Sequence, residues 1–225
     1  MCGRFNNHLP KMLGWSTMLA EWPEVPLSYN VAPSADIAAF TLQDDRWQGR
    51  AMRWGMIPSW AKEFTSSFAT FNARIETVSE KPTFRAAWSK KRRCVIPMAG
   101  YYEWKQTDDG KQPFYLTDRN VGGLVAAGLY EPWQDQLSCT MLTKPAMGAL
   151  SAIHPRMPVL LNPASARRWL EDDSAAQRFL HMVEAPSIVY WPVTKAVGNP
   201  RNDKPNLCAP IDLKPASNKP GSSDA

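Results

Sequence analysis

The sequence predicts an α+β domain with an antiparallel, barrel-like β core and a few flanking helices. Short runs of β-branched and aromatic residues recur along the chain, turn residues separate most of them, and few segments have helical spacing. Hydrophobic residues fill 44% of the 225 positions, enough to bury a substantial core. We therefore expect one domain over residues 1–210 and a disordered, Pro- and Ser-rich tail over 211–225.

The β core is predicted from short strands joined by recognisable turns. Two Asp residues and an Arg at 44–46 predict a turn, and Asp-Gly within 107–111 predicts a hairpin. The predicted strands span residues 36–43, 47–57, 92–106, 111–119, 123–133, 137–143, 156–161 and 187–198.

Three helices are predicted around these strands. Apolar positions in residues 9–22 recur at near-helical spacing. Asn162 and Pro163 are typical of an N-cap and a first helical position, so a second helix is expected over 162–173. A third short helix is expected over 174–183.

Positive charge is concentrated in the middle of the sequence. Residues 46–93 contain 11 Lys and Arg against 3 Asp and Glu, whereas the remaining residues contain 15 against 18. Basic residues interleaved with aromatic rings favour single-stranded nucleic acid as a partner, through phosphate neutralisation and base stacking. The alternative is that the arginines face solvent and the aromatic residues build the core. The aromatic residues are Trp47, Trp54, Trp60, Phe64, Phe68, Phe71, Phe84 and Trp88.

Several classes of protein are not expected. No window has the roughly 18 apolar residues of a membrane span, and the N-terminus has neither a secretory signal nor a myristoylation pattern. The four cysteines and three histidines are scattered, without metal-ligand spacing. We expect a cytoplasmic protein without a metal or a cofactor.

Cys2 is the cysteine with a special position. Removal of Met1 would leave it with a free thiol and a free α-amine, whose reference pKa values are about 8.5 and about 7.7–8.0. An amine of this kind forms an imine with an aldehyde, and the adjacent thiol can then close a five-membered thiazolidine. Ring closure is intramolecular and therefore fast.

Three other segments contain residues suited to chemistry. Asn72 and Arg74 would share one face of a strand, where an amide can orient an intermediate and a guanidinium can bind phosphate. Glu103 lies in a strongly β-forming run, where desolvation would raise its pKa, although pairing with Lys105 is the alternative. His154 suits proton transfer, although a lone His is more often structural.

These segments together resemble the SOS-response-associated peptidase (SRAP) family. The resemblance runs in order from Met1 to about residue 210. Its motifs are "MCGRF", "YNVAPS", "RWGMIPSWA", "FNARIET", "RRCVIPMAGYYEWK", "AIHPRMPVLL" and "PVTKAVGNPRND".

The resemblance implies the SRAP fold and a covalent role in DNA damage and the SOS response. Such proteins recognise abasic sites in single-stranded DNA, with junctions to double-stranded DNA as possible locations, and link the sugar aldehyde to the N-terminal cysteine as a thiazolidine. By resemblance, Cys2 is the nucleophile, Asn72 orients it, Glu103 is the general acid–base, and His154 handles protons at the sugar oxygen.

The resemblance also implies DNA-binding residues. Phosphates would be bound by Arg4, Arg74 and Arg156, and the lesion would be lined by Asn30, Pro33 and Trp60. Some relatives have a second tryptophan where this chain has Ala61, so that wedge is missing. A monomer would suffice, located in the cytoplasm and on the nucleoid when bound to DNA.

Two other functions stay open on the sequence. Cys2 and His154 could form the thiol–imidazole pair of a cysteine peptidase, with Asn72 or Glu103 orienting the base. The chain could also be a non-covalent module for single-stranded DNA. A lyase activity that cleaves the strand through the imine could accompany crosslinking.

Overall fold

The computed structural model describes residues 2–9, 15, 18–19, 21–120, 122–171 and 176–213. Within these residues the chain forms two β-sheets with three short helices beside them. The strands are β1 (Phe5–Asn6), β2 (Asp36–Gln43), β3 (Arg46–Trp54), β4 (Asn72–Arg74), β5 (Arg93–Met98), β6 (Gly100–Thr107), β7 (Gly110–Asp118), β8 (Leu124–Trp133), β9 (Gln136–Pro145), β10 (Arg156–Pro158), β11 (Leu160–Leu161) and β12 (Ile188–Pro192). The helices are α1 (Arg85–Ser89), α2 (Pro163–Glu171) and α3 (Ala176–Met182).

The larger sheet closes into a five-stranded barrel. Its strands follow the order β9, β3, β2, β5 and β8, and β8 pairs back onto β9. Strands β4 and β10 add to β9, and β11 adds to β8. The predicted α+β class with a barrel-like core is therefore confirmed. Most pairings are antiparallel, but β3 and β4 each run parallel to β9.

The smaller sheet is antiparallel and has the order β1, β6, β7 and β12. The prediction of one strand over residues 92–106 is wrong in one respect, because the run breaks at Ala99 and supplies β5 to the barrel and β6 to this sheet. The Ala99 N–H donates to the Asn6 carbonyl at 2.8 Å, which fixes the crossing beside β1. One buried cluster contains residues of both sheets and includes Cys2.

The helices follow their sequence signals where these exist. Helix α2 begins as predicted, with the Ser165 N–H donating to Asn162 Oδ1 at 2.9 Å and the Asn162 N–H donating to Ser165 Oγ at 2.8 Å. The helix expected over 174–183 is α3, whereas α1 was not predicted. No helix in the described part of the chain is long and apolar enough to cross a membrane.

Two predictions fall largely on residues that the structure does not describe. Most of the helix expected over 9–22 lies outside the described residues, although Trp15 and Leu19 are buried in the barrel core. Residues 214–225, most of the expected tail, lie outside them as well, so the tail stays a prediction.

Most aromatic side chains of the central basic stretch pack in the interior, so the expectation that its rings stack on bases is wrong for most of them. Of its eight aromatic side chains only two are strongly exposed, Trp60 at 68% and Phe68 at 81%. The others pack because β3, β4 and α1 present their apolar faces to the barrel. Trp47, Trp54, Phe71, Phe84 and Trp88 belong to or pack against the core clusters, and the Phe64 ring lies 5.6 Å from that of Trp133.

Candidate active site

Cys2 is anchored at the boundary between the two sheets. Phe5 and Asn6 pair with Tyr101 and Gly100 of β6, and the Tyr102 N–H donates to the Arg4 carbonyl at 3.0 Å. These bonds hold the N-terminal segment along the strand that carries Glu103. Cys2 itself is fully buried.

Asn72 contacts Cys2 directly from β4. Its side-chain amide donates to the Cys2 carbonyl oxygen at 2.6 Å, which fixes the orientation of the Cys2 backbone. Asn72 is buried, and its Oδ1 atom has no hydrogen-bond partner among the described residues. A buried amide oxygen without a donor is costly, so the site is suited to receive an N–H or O–H group at this point.

Glu103 is a buried carboxyl group with a raised pKa. Burial raises its pKa to about 7, although a hydrogen bond from the Trp104 N–H acts in the opposite direction. Only 3% of the residue is exposed. Near neutral pH the group can therefore both donate and accept a proton.

His154 lies beside Glu103 at the entrance to β10. Its Nδ1 atom is 3.9 Å from Glu103 Oε1 and 3.0 Å from the Arg156 amide nitrogen. Burial lowers the pKa of His154, which keeps the imidazole neutral at physiological pH. A neutral imidazole can accept a proton.

The Cys2 thiol is not a ready thiolate. Burial, followed by the negative charge of Glu103, raises its pKa well above the ordinary value. The Sγ atom lies 3.9 Å from the Arg4 carbonyl oxygen. The thiol is therefore held in its neutral form and must lose its proton during any reaction.

The four predicted catalytic residues converge from distant parts of the chain. Asn72 donates a hydrogen bond to the Cys2 carbonyl, and the negative charge of Glu103 contributes to the raised pKa of the Cys2 thiol. Glu103 in turn lies beside His154. A cavity of about 580 Å³ opens at Glu103 and His154, and its wall also contains Trp104, Gln106 and Lys111, which the sequence did not single out. No group of three or more His, Cys, Asp or Glu side chains in the described ranges could hold a metal ion.

Two of the predicted DNA-binding residues are engaged within the protein. Arg4 donates to Asn30 Oδ1 at 3.0 Å and to the Val197 carbonyl at 2.9 Å. Asn30 is buried, and its side-chain amide donates to three backbone carbonyls of the segment 197–202. This network fastens the N-terminal segment to the loop after β12.

The other predicted DNA-binding residues differ in accessibility. Arg74 is exposed at the end of β4, Trp60 is exposed in the loop after β3, and Pro33 is half-buried. Arg156 forms a bidentate ion pair with Glu76, with nitrogen–oxygen distances of 2.5 and 2.9 Å. Glu76 was missed by the sequence analysis, although it lies in the quoted motif "FNARIET", because nothing in the sequence links it to Arg156.

The fold and the site define a barrel protein whose second residue, a cysteine, is held by an amide beside a buried carboxyl group and a histidine. The family model described as SOS response associated peptidase (SRAP) matches residues 1–200, and the chain belongs to this family.

The chain is similar to several named relatives and solved structures. Abasic site processing protein YoqW of Bacillus subtilis (strain 168) is 35% identical over 224 residues, which cover 92% of this chain and 98% of that protein. Abasic site processing protein HMCES of Xenopus tropicalis is 34% identical, over 72% of this chain and 57% of that protein. A crystal structure from Bordetella bronchiseptica has a TM-score of 0.76 at 25% identity, covering 86% of this chain and all of that one. A structure from Bacteroides thetaiotaomicron, at 22% identity and a TM-score of 0.74, covers 93% of this chain and all of that one and shares the fold.

Proposed function

We propose that this protein recognises abasic sites in single-stranded DNA and, after removal of Met1, traps the sugar aldehyde as a thiazolidine on Cys2. The relatives are named abasic site processing proteins, which supports the abasic site as the lesion that this protein recognises. The observation that carries the chemistry is the placement of Cys2, bonded by Asn72, beside a carboxyl group with a pKa of about 7.

The first step forms an imine. The α-amine of Cys2 attacks the C1′ aldehyde of the ring-opened sugar and gives a carbinolamine. Protonated Glu103 donates its proton to the hydroxyl group, which leaves as water, and the carbon–nitrogen double bond forms with the nitrogen keeping its hydrogen, as a protonated imine. A pKa near 7 keeps about half of the Glu103 population protonated at neutral pH, as this step requires.

The second step closes the ring. The thiol proton passes to the Glu103 carboxylate, and the Cys2 sulfur attacks the carbon of the protonated imine. The electron pair of the carbon–nitrogen double bond returns to nitrogen, which keeps its hydrogen as the thiazolidine N–H. Because the thiol has a raised pKa, it needs a base, and the carboxylate left on Glu103 after the first step supplies one. Glu103 thus donates one proton and recovers another, and neither step is a net oxidation or reduction.

Asn72 and His154 orient the reactants and move protons. The Asn72 amide fixes the Cys2 carbonyl, and its Oδ1 atom is available to a hydrogen of the α-amine or of a sugar hydroxyl. His154, whose pKa is lowered, accepts the proton of the C1′ hydroxyl as the C1′–O4′ bond breaks and passes it to O4′, and the reverse transfer closes the ring during reversal.

The DNA strand is expected to reach the site over exposed side chains. We assign a backbone phosphate to Arg74, which is exposed on the strand that carries Asn72, and stacking at the lesion to Trp60, which is exposed in the loop after β3. The resemblance also assigns DNA contacts to Arg4, Asn30 and Pro33, and Arg4 would exchange a backbone carbonyl for a phosphate. All four catalytic groups come from one chain, so a monomer suffices, in the cytoplasm and on the nucleoid at lesions or junctions.

A cysteine peptidase is less well supported than a crosslinking protein. Peptidase cysteines act as thiolates and have lowered pKa values, whereas burial raises the pKa of the Cys2 thiol. Glu103, beside Cys2, is a carboxyl group with a raised pKa and is suited to imine chemistry. We therefore propose no proteolytic role.

A denaturing gel tests the proposal. The protein, with removal of Met1 confirmed by mass, is mixed with a single-stranded oligonucleotide that carries one abasic site. A slower band that survives heating, and needs both the lesion and Cys2, is expected. If the oligonucleotide band is shifted on a native gel but not on the denaturing gel, the protein binds DNA without a covalent bond. If it is shifted on neither gel, recognition of the lesion is refuted.

A further inference from the structure

A long loop connects β3 to β4 and ends directly before Asn72. It comprises residues 55–71. Both strands run parallel to β9, where Trp54 is in register with Cys139 and Asn72 is in register with Met141. Two positions along a strand correspond to about 7 Å, so the two ends of the loop lie close together. Compact surface loops with close ends are frequently functional.

The first half of this loop is attached to the hairpin of β8 and β9. The Ile57 N–H donates to Ser138 Oγ at 2.8 Å, and the Trp133 indole N–H donates to the Ala61 carbonyl at 2.8 Å. The Phe64 ring packs against the Trp133 ring, with 5.6 Å between their centroids. The loop is therefore held against the barrel at several points along its outward path.

The second half of the loop leads back to the active site and is held as well. The Met56 N–H donates to the Thr70 carbonyl at 3.2 Å, which joins the two limbs of the loop. The Trp54 indole N–H donates to the Phe71 carbonyl at 3.0 Å. Because Asn72 follows Phe71 directly, these bonds hold the end of the loop and the active-site amide in one frame.

Phe68 lies on this second half and projects into solvent. At 81% it is the most exposed large hydrophobic side chain in the described part of the chain. Ser66 Oγ accepts from the Phe68 N–H at 3.1 Å and donates to the Phe68 carbonyl at 3.2 Å, which fixes the turn that presents the ring. Asn72 is four residues away, at most about 14 Å along an extended chain. The ring buries little apolar surface, so packing of the fold does not account for it.

The surroundings of the loop suit a nucleic acid strand. Arg53 Nη2 donates to Ser34 Oγ at 2.7 Å, and the Arg53 guanidinium carbon lies 6.0 Å from the centre of the Phe64 ring. The loop therefore adjoins the segment of Pro33, to which the resemblance assigns a DNA contact. Arg74 is exposed on β4, shortly after the loop ends. An exposed ring with cationic side chains nearby is the arrangement that binds single-stranded DNA by base stacking.

We propose that Phe68 is a stacking platform for one unpaired base of the DNA strand, a base-binding position separate from that of Trp60 at the lesion. This inference rests on the proposed function and deepens it, because it adds a contact to a base in the neighbourhood of the abasic site. Every base has a π face, so the contact tolerates any sequence but needs an unpaired base. It would favour a lesion in single-stranded DNA over the same lesion within a duplex.

Fluorescence of the linked complex locates the base. Single strands carry one abasic site, and 2-aminopurine, a fluorescent base that is quenched by stacking, replaces one base at successive positions on either side. The covalent bond to the abasic sugar fixes the register of protein and strand. We expect one position at which the complex of Phe68→Ala is brighter than that of the wild type. Equal fluorescence at every position would refute the contact.

The concentration dependence of crosslinking measures the strength of the contact. Phe68→Ala is expected to raise the protein concentration at half-maximal rate about 5- to 100-fold, as loss of one base–aromatic stack does, with an unchanged maximal rate. Phe68→Trp should react like the wild type. Phe68→Leu, which keeps apolar bulk without a ring, should resemble Phe68→Ala. A lower maximal rate at unchanged half-saturation would mean that the loop acts on Asn72 instead, and a Phe68→Leu protein equal to the wild type would exclude stacking.

Removal of the base tests the pairing of ring and base. At the position found by fluorescence, a tetrahydrofuran residue, which has neither a base nor an aldehyde, replaces the nucleotide. The half-saturation of the wild type should then rise about as much as Phe68→Ala raises it on the intact strand. The variant should lose little more on the altered strand, because both changes remove the same contact. Independent, additive losses would contradict stacking of Phe68 on that base.

Tyr190→Ala is the matched control. Tyr190 is a partly exposed aromatic residue on β12, at the edge of the smaller sheet, and its loss should change neither half-saturation nor fluorescence. If the wild-type protein forms no adduct, the proposed function fails. If the wild type reacts and Phe68→Ala equals it in half-saturation and fluorescence, only the stacking inference fails.

Discussion

Burial has a different consequence for each of two neighbouring acidic groups, Glu103 and Cys2. The pKa of Glu103 rises to about 7, into the range where a carboxyl group exchanges protons, while the pKa of the Cys2 thiol rises out of that range. The thiol is thus protected from reaction until an imine and a neighbouring base are present. Burial of both groups in the same place therefore favours a fixed order of steps in the proposed reaction, in which the amine attacks the aldehyde first and the sulfur attacks the imine second.

The raised pKa of Glu103 predicts how the stability of the fold depends on pH. Its folded-state pKa lies above the ordinary value of 4.5, so the unfolded chain releases this proton first as the pH rises. Below about pH 4.5 the group is protonated in both states and does not change the free energy of unfolding. Between about pH 4.5 and pH 7 it lowers that free energy progressively, by up to about 3 kcal/mol. We expect Glu103→Gln to melt at a higher temperature than the wild type at pH 8, with little difference at pH 4.

The same variant should lose activity. Glutamine cannot donate or accept the proton, so we expect about a 100-fold slower crosslink. Glu80→Gln, at an exposed position, should change neither melting nor rate. A Glu103→Gln protein that is less stable at pH 8, or that reacts at the wild-type rate, would contradict the role given to this residue.

The thiol and the amine of Cys2 can be separated by substitution. Cys2→Ser keeps the amine and can form the imine, but its hydroxyl group is a poor nucleophile for ring closure. We expect less stable adduct and more cleaved strand than with the wild type, because an imine that is not captured promotes strand cleavage. The measurement is the ratio of cleaved DNA to heat-stable adduct on a denaturing gel. An equal ratio in both proteins would show that the sulfur does not capture the imine.

The elements bring Cys2 and Glu103 together through close packing at Gly100. A Cβ atom at this position would lie 2.5 Å from the Tyr115 ring and 2.6 Å from the Leu116 carbonyl. Gly100 also pairs with Asn6 of β1, so the strand cannot shift without moving the N-terminal segment.

Gly100→Ala is therefore expected to destabilise the protein by about 1–3 kcal/mol, as overpacking does, and to slow crosslinking. Chemical denaturation measures the first effect and the gel assay measures the second. Gly198→Ala is the control for stability, because no atom lies within 4 Å of its added Cβ. Equal stability of the two variants would show that β6 can move away from β7 without cost.

The sequence predicts elements well where local signals determine them. Strand β2 matches its predicted range, and the turn after it places Asp44 and Asp45 at positive φ, as a tight hairpin requires. Helix α2 begins at its predicted cap. Helix α1 has five residues and no side-chain cap at Phe84, so it had no signal to recognise. The break at Ala99 was also invisible, because strong β-formers lie on both sides.

At the scale of the whole molecule, the sequence does not show which residues meet. Residues 2, 72, 103 and 154 come together only because a barrel and a sheet share a boundary, and no spacing along the chain encodes that contact. Their convergence was expected from the family resemblance. The same limit explains the aromatic stretch, since composition cannot tell a buried ring, such as that of Trp54, from an exposed one, such as that of Trp60.

The chemical identity of the adduct tests the central claim most directly. Intact mass spectrometry of the protein linked to an abasic oligonucleotide, with and without borohydride, distinguishes a thiazolidine from an imine. We expect the mass of the two components minus one water, unchanged by borohydride, with the linkage at Cys2 and only on chains that have lost Met1. An adduct that borohydride reduces, that maps to a lysine, or that forms on chains retaining Met1 would contradict the account.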